Sequence, residues 1–205
     1  MQIIVLANNE QWGILKNICQ KVDYKRADNI EQFLNIKNAS AYFNLNNNSA
    51  EVDYKNITAP VFINSVSKTL TSIAAKKNVI RMNAWEGFFE KDLWEIAGEV
   101  SLEIKAILQF INKKYIVVND VPGFVTARTI AMIINEAYFA FGDKVSSQAD
   151  IDIAMKLGTN YPYGPFEWAK KIGLKNVHAL LQILSTNNER YTISPALEEV
   201  NKREL

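Results

Sequence analysis

The sequence predicts an α/β chain in two parts: a parallel sheet with covering helices over residues 1–119, then an all-helical domain over 120–205. Three observations carry this reading. Short apolar runs alternate with helical stretches in the first half, no convincing strand follows Val121, and the turn sequence Asp120-Val121-Pro122-Gly123 sits where the texture changes. With 205 residues, 48% hydrophobic and 22% charged, the chain suffices for one large domain or two modest ones. Its composition is that of a globular protein with a proper core, not of a disordered segment.

Gln2-Ile3-Ile4-Val5-Leu6-Ala7 is an uninterrupted apolar run, as expected of a strand buried on both faces. Glu10 to Val22 follows as a helix, with Trp12, Leu15, Ile18 and Cys19 on one stripe. Ile30 to Ile36 is a shorter helical piece, Ala39 to Leu45 a strand, and Asn46-Asn47-Asn48-Ser49 a turn. Pro60 opens the strand that runs to Asn64, a position where its missing N–H is tolerated. Ser67 to Lys77 reads as a helix with Ser67 as N-cap, and Asn78 to Met82 as a strand. Leu93 to Ala97 is open between strand and helix. Val100 to Lys113 is amphipathic and helical, and Tyr115 to Val118 is the last strand. This alternation predicts a doubly wound parallel sheet. Beyond it, Thr126–Phe141, Ala149–Leu157, Pro165–Ile172 and Val177–Ser185 read as helices, with Asp150 as a candidate cap and Gly158–Gly164 as a loop.

Composition also narrows the partners. Twenty-three basic against 22 acidic residues give a net charge of +1 with no basic block, which argues against nucleic acid and anionic membrane. No apolar run approaches the length needed to span a bilayer. The single cysteine, Cys19, forms no intrachain disulfide, and the N-terminus begins a strand at once without a cationic stretch or cleavage-like site. A cytoplasmic protein is expected. The chain has 8 glycines and 1 histidine, scarce resources for nucleotide loops and acid–base chemistry.

From the boundary onward an ordered set of motifs appears: Asp120-Val121-Pro122-Gly123-Phe124-Val125, Arg128, Asn135-Glu136-Ala137, Asp150 to Met155, Gly158, Pro162 to Glu167 and Ile172-Gly173-Leu174. This pattern resembles the C-terminal domain of the 3-hydroxyacyl-CoA dehydrogenases. Ile63-Asn64-Ser65-Val66-Ser67 is similar to the family's Asn-Thr-Ser-Ser segment. Arg81 to Ile96 is similar to its Gly-Leu-His-Phe-Phe-Asn-Pro stretch and the Leu-Val-Glu-Val after it. The resemblance implies a Rossmann-like NAD domain, truncated here, joined to a helical domain that forms homodimers. The reaction it implies is oxidation of L-3-hydroxyacyl-CoA to 3-ketoacyl-CoA.

The chemistry of that family is eroded in this chain. Where the resemblance requires Gly-x-Gly-x-x-Gly, the sequence reads Ala7-Asn8-Asn9-Glu10-Gln11-Trp12, with no glycine to let a pyrophosphate approach and with Glu10 repelling it. Gly13 is at most a shifted remnant. Asp23 and Asp28 are candidates for the ribose-binding acid by position, yet neither follows a clear strand. NAD is implied by the resemblance, but the residues predict no cofactor. The catalytic histidine corresponds to Asn83, whose amide takes up no proton, and its glutamate partner to Glu95. A serine corresponds to Val66 and an asparagine to Ala127, while Asn64, Ser65 and Ser67 survive. Ser67 reads either as a replacement hydroxyl or as a helix cap, and Glu95 as a structural residue or part of a new site. His178 reads as an ordinary helix histidine and Cys19 as core.

The sequence therefore leads to a degenerate, dimeric family homologue that binds an acyl-CoA-type small molecule or a protein partner. Two alternatives stay open: an atypical but active dehydrogenase, and a non-redox enzyme with Glu95 as base.

Overall fold

The computed structural model describes residues 1–186 and 188–203, so the last two residues of the expected helical domain lie outside the described residues. The chain forms two compact units, residues 1–124 and the part from Val125 onward.

The first unit is a seven-stranded sheet. In chain order its elements are β1 (Gln2–Leu6), α1 (Asn9–Ile18), β2 (Asp23–Arg26), α2 (Ile30–Asn35), β3 (Ala41–Asn44), β4 (Val61–Asn64), β5 (Val79–Met82), β6 (Leu93–Ala97), α3 (Leu102–Phe110) and β7 (Lys114–Val117). Across the sheet the strands run β2-β1-β3-β4-β5-β6-β7. Both faces are covered, which is why β1, β3 and β4 are largely apolar, with polar residues only at their ends. On one face Val5, Phe43, Phe62 and Ile96 meet α1 and α3 through Leu15, Ile104 and Leu108. On the other, Ile4, Tyr42 and Ile63 meet Phe33 of α2 and the loop residues Tyr54 and Ile57. Phe43 stacks on Phe62 at 4.4 Å between ring centroids.

Several expectations need correction. The sheet is mixed rather than wholly parallel, because β6 runs antiparallel to β5. Residues 83–92 are too few for a parallel crossover, which takes about a dozen or more. Leu93–Ala97, left open above, is a strand. Ser67–Lys77 is not a helix. One helical turn forms and closes at once, with the Ala75 N–H donating to Leu70 O at 2.9 Å and the Ala74 N–H to Thr71 O at 3.2 Å. Ala74 takes the left-handed conformation at φ 48°. Ser67 is therefore no helix cap, and it lies half-buried in the loop after β4. β2 was not expected. It is an edge strand whose only large apolar side chain is Tyr24, so alternation of charge hid it.

The second unit is helical, with α4 (Thr126–Gly142), α5 (Gln148–Thr159), α6 (Pro165–Ile172), α7 (Leu174–Ser185) and the unexpected α8 (Pro195–Arg203). Among the described residues no strand follows β7. α4 buries Ala127, Ile130, Ala131 and Ile134 and packs against α6, α7 and α8. Asn135 on α4 holds the chain before α8, donating to Thr192 O at 2.8 Å and accepting the Ser194 N–H at 2.9 Å. The cap of α5 is Ser147, which accepts the Asp150 N–H, so Asp150 is not the capping residue. Asp152 of α5 instead caps α6, accepting the Phe166 N–H at 2.8 Å. That contact requires glycine at 164, where a Cβ would lie 2.2 Å from Asp152 Oδ1. Among the described residues no helix is long and apolar enough to cross a membrane.

Candidate functional site

In open α/β sheets ligands bind beyond the carboxyl ends of the parallel strands. Here β1, β3, β4 and β5 end together, delivering Ala7 and Asn8, Leu45, Ser65 and Val66, and Asn83 and Ala84 to one edge of the first unit.

The first turn is built from amides. Asn8 caps α1 in a reciprocal box: its Oδ1 accepts the Gln11 N–H at 2.8 Å, and Gln11 Oε1 accepts the Asn8 N–H at 3.2 Å. Gln11 Nε2 donates to Leu45 O at 2.9 Å and to Ala84 O at 3.2 Å. Arg26, at the end of β2, donates to Ala7 O and to Asn9 Oδ1, both at 2.9 Å, and lies over the Trp12 ring at 5.8 Å. Ala7 is buried, whereas Asn8 and Asn9 are exposed. A dinucleotide diphosphate does not fit this turn. The helix N-terminal N–H groups it would use are partly taken by the capping box, and the Gln11 side chain bridges the neighbouring strand ends. Gly13 packs against nothing: a Cβ there would meet no atom within 4 Å, so it is not the close-approach glycine of a nucleotide loop.

Beside this turn, buried Asn64 ties three strand ends together. It accepts the Ala84 N–H at 3.1 Å and donates to Leu45 O at 3.1 Å and Asn47 Oδ1 at 3.0 Å. Ser49 Oγ donates to Asn64 O at 2.8 Å. Ser65 Oγ donates to Lys68 O at 2.6 Å.

Asn83 and Glu95 face one another across the antiparallel pair. With Met82 opposite Ile96 and Arg81 opposite Ala97, the register sets residue 83 against residue 95, and the Asn83 N–H donates to Glu95 O at 3.3 Å. Both are buried, 3% and 7% exposed. Asn83 Oδ1 accepts the Trp85 N–H at 3.2 Å. The structure thus brings together two of the predicted residues, and Asn64 lies one strand away. A carboxamide in this position organises backbone; it does not take up a proton.

Two residues that sequence reasoning missed lie under the same edge. Arg81 is 0% exposed, and each nitrogen of its guanidinium is engaged. Nε donates to Ser65 O at 2.9 Å. Nη1 donates to Asp120 Oδ1 at 2.6 Å and Val121 O at 3.2 Å, and Nη2 to Val66 O at 3.1 Å and Val121 O at 3.2 Å. The guanidinium also lies over the Phe124 ring at 4.4 Å. Asp120 accepts the Leu70 and Thr71 N–H groups at 3.1 and 3.2 Å, which orders the single helical turn after β4. Burial pulls the Arg81 pKa down, and Asp120 only partly offsets it. At Asp120 burial pushes the carboxyl pKa up, but the Arg81 and backbone hydrogen bonds outweigh it and hold it below the ordinary range. Both pKa values therefore move down: on the fully enclosed arginine burial outweighs the ion pair, whereas on the less buried aspartate the hydrogen bonds outweigh burial. An arginine inside the apolar strand Val79-Ile80-Arg81-Met82 was a readable signal that a buried acceptor set must exist.

Two other residues weighed from the sequence have partners of their own. His178 on α7 pairs with Glu198 on α8 at 3.0 Å. Cys19 is half-buried, with Sγ 3.7 Å from Phe110 O. Among the described residues no group of three or more His, Cys, Asp or Glu side chains is arranged to hold a metal ion.

Residues 123–204 match the family model described as 3-hydroxyacyl-CoA dehydrogenase, C-terminal domain. The chain is 45% identical over 86 residues to 3-hydroxyadipyl-CoA dehydrogenase of Escherichia coli, covering 41% of this chain and 18% of that protein. It is 41% identical over 92 residues to 3-hydroxybutyryl-CoA dehydrogenase of Clostridioides difficile, covering 44% and 33%. The matched part thus spans a third or less of these curated relatives. The fold extends further than the sequence match. (S)-3-hydroxybutyryl-CoA dehydrogenase PaaH1 from Ralstonia eutropha superposes with a TM-score of 0.71 at 18% identity, covering 99% of this chain and 94% of that one. M. tuberculosis FadB2 gives 0.76 at 13%, covering 98% and 93%. Residues 123–204 are thus similar to the C-terminal domain of the 3-hydroxyacyl-CoA dehydrogenases, and the whole chain shares the fold of that family's solved structures.

Proposed function

We propose that this chain is a catalytically degenerate 3-hydroxyacyl-CoA dehydrogenase homologue that binds an acyl-CoA-type molecule or a protein partner as a homodimer and transfers no hydride. The observation that carries the reading is Asn83: it faces Glu95 across β5 and β6, and its Oδ1 is committed to the Trp85 N–H. General-base catalysis needs a group that accepts a proton near neutral pH, and an amide there forfeits about 10²–10⁴-fold. The acyl-CoA class comes from the names of the relatives, both of which are dehydrogenases of a 3-hydroxyacyl-CoA. Dimerisation through the helical unit is supported by its exposed apolar side chains. Ile153 and Leu157 lie one turn apart on α5, with Leu157 83% exposed.

The test is a titration of 3-hydroxybutyryl-CoA by calorimetry, beside an assay of NADH formation with the same compound. Binding without turnover is expected. Turnover by the purified chain would replace this reading with that of an active dehydrogenase.

A further inference from the structure

The first turn of the sheet unit does more than lack glycines: it is completed from within. A glutamine side chain has two donors and an acceptor oxygen. In Gln11 both Nε2 hydrogens are used, on Leu45 O at 2.9 Å and Ala84 O at 3.2 Å, and Oε1 takes the Asn8 N–H at 3.2 Å. Gln11 is buried, so these bonds are not interchangeable with bonds to water. A second clamp comes from β2. Arg26 holds Ala7 O and Asn9 Oδ1, a cation at the strand end where a dinucleotide fold places the acid for its ribose. Asn64 closes the remaining side by pairing Ala84 with Leu45. Part of the polar set that a dinucleotide fold leaves for its ligand is here paired internally.

We propose that Gln11 and Arg26 are positioning residues that take over the structural place of the dinucleotide, so that the sheet unit reaches its full stability with no nucleotide at this edge. Gln11 joins the ends of β1, β3 and β5, while Arg26 fixes the turn leading from β1 into α1. This does not depend on whether the chain turns over a substrate, and acyl-CoA binding elsewhere leaves it untouched.

Thermal unfolding of the full chain with and without millimolar NADH, together with two variants, tests it. Ligand that binds the folded state raises its unfolding temperature, and none is expected here. Gln11→Ala removes all three bonds: its unfolding temperature falls by several degrees, and amide exchange at Asn8 rises by about tenfold or more. Gln11→Glu keeps an acceptor for Asn8 but turns the two donated bonds into oxygen facing oxygen. It unfolds early while the Asn8 amide stays protected, and it separates the bridging role from the cap if Gln11→Ala fails to fold. A rise in the unfolding temperature with NADH overturns the proposal. So does wild-type stability in Gln11→Glu. Detectable turnover without an NADH-dependent shift would overturn the functional reading alone.

Discussion

Removing the charge on Asp120 is the sharpest perturbation of the sheet unit. In Asp120→Asn the Arg81 guanidinium stays fully enclosed but loses its anionic partner, Asp120. The amide also turns an N–H toward the Leu70 or Thr71 N–H that the carboxylate now accepts. Breaking a buried ion pair at one partner costs about 3–5 kcal/mol. The Asp120 side chain is 24% exposed, so water relieves part of that and about 3 kcal/mol is expected. Urea unfolding followed by tryptophan emission in a Trp168→Phe background reads this directly. The remaining tryptophans, Trp12, Trp85 and Trp94, all lie in the sheet unit. With a urea slope of about 1–3 kcal/mol per molar, the midpoint falls by about 1 M or more. Arg81→Met added to Asp120→Asn removes the stranded charge and recovers about 1 kcal/mol or more relative to Asp120→Asn alone. The pH dependence has a definite sign. The folded Asp120 carboxyl is held below its unfolded value, so its contribution is complete above about pH 4 and is lost as pH falls through the folded value. Acid unfolding of the wild type is therefore steeper than that of Asp120→Asn. A loss below about 0.5 kcal/mol in Asp120→Asn would refute the reasoning, because a guanidinium so enclosed cannot lose its counter-charge cheaply.

Other predictions follow the same logic. Asn64→Leu leaves the buried Ala84 N–H without its acceptor and lowers stability by about 1–3 kcal/mol, read from the urea midpoint. Gly164→Ala drives a methyl into the Asp152 carboxylate, so thermal unfolding of the helical unit by circular dichroism shows a loss of about 1–3 kcal/mol. Leu157→Lys, at a side chain 83% exposed, leaves the fold intact and shifts sedimentation from dimer to monomer if α5 forms the interface. Unchanged sedimentation would place the interface elsewhere.

Much of the fold was legible because burial writes itself into pattern. β1 and β4 are apolar on both faces and read plainly as central strands. β2 did not, since an edge strand with charges at Asp23, Lys25 and Arg26 carries almost no hydrophobic signal. The turn at Thr69–Ala74 reads as a helix because Leu70, Ile73 and Ala74 share helical spacing, and spacing says nothing of the Asp120 carboxylate, some 50 positions away, that orders it. At the site, Asn83 and Glu95 were found through family motifs, and the antiparallel register sets them face to face. Gln11 was hidden in plain view: Asn8-x-x-Gln11 is a readable capping pair, but the reach of its amide to Leu45 and Ala84 depends on strands that the sequence separates.

The two faces of the sheet are insulated by different materials. α1 and α3 cover one with continuous helical hydrogen bonding, while much of the other lies under the loop around Tyr54 and Ile57 and the single turn at 69–74. Local opening costs least where backbone bonds are few and irregular. The sheet unit therefore comes apart in order, loosening first over residues 46–58 and 67–77 while β1, α1 and α3 still hold. A protease added under native conditions finds those two segments before any other part of this unit, and its first cuts record the sequence of events that equilibrium unfolding averages away.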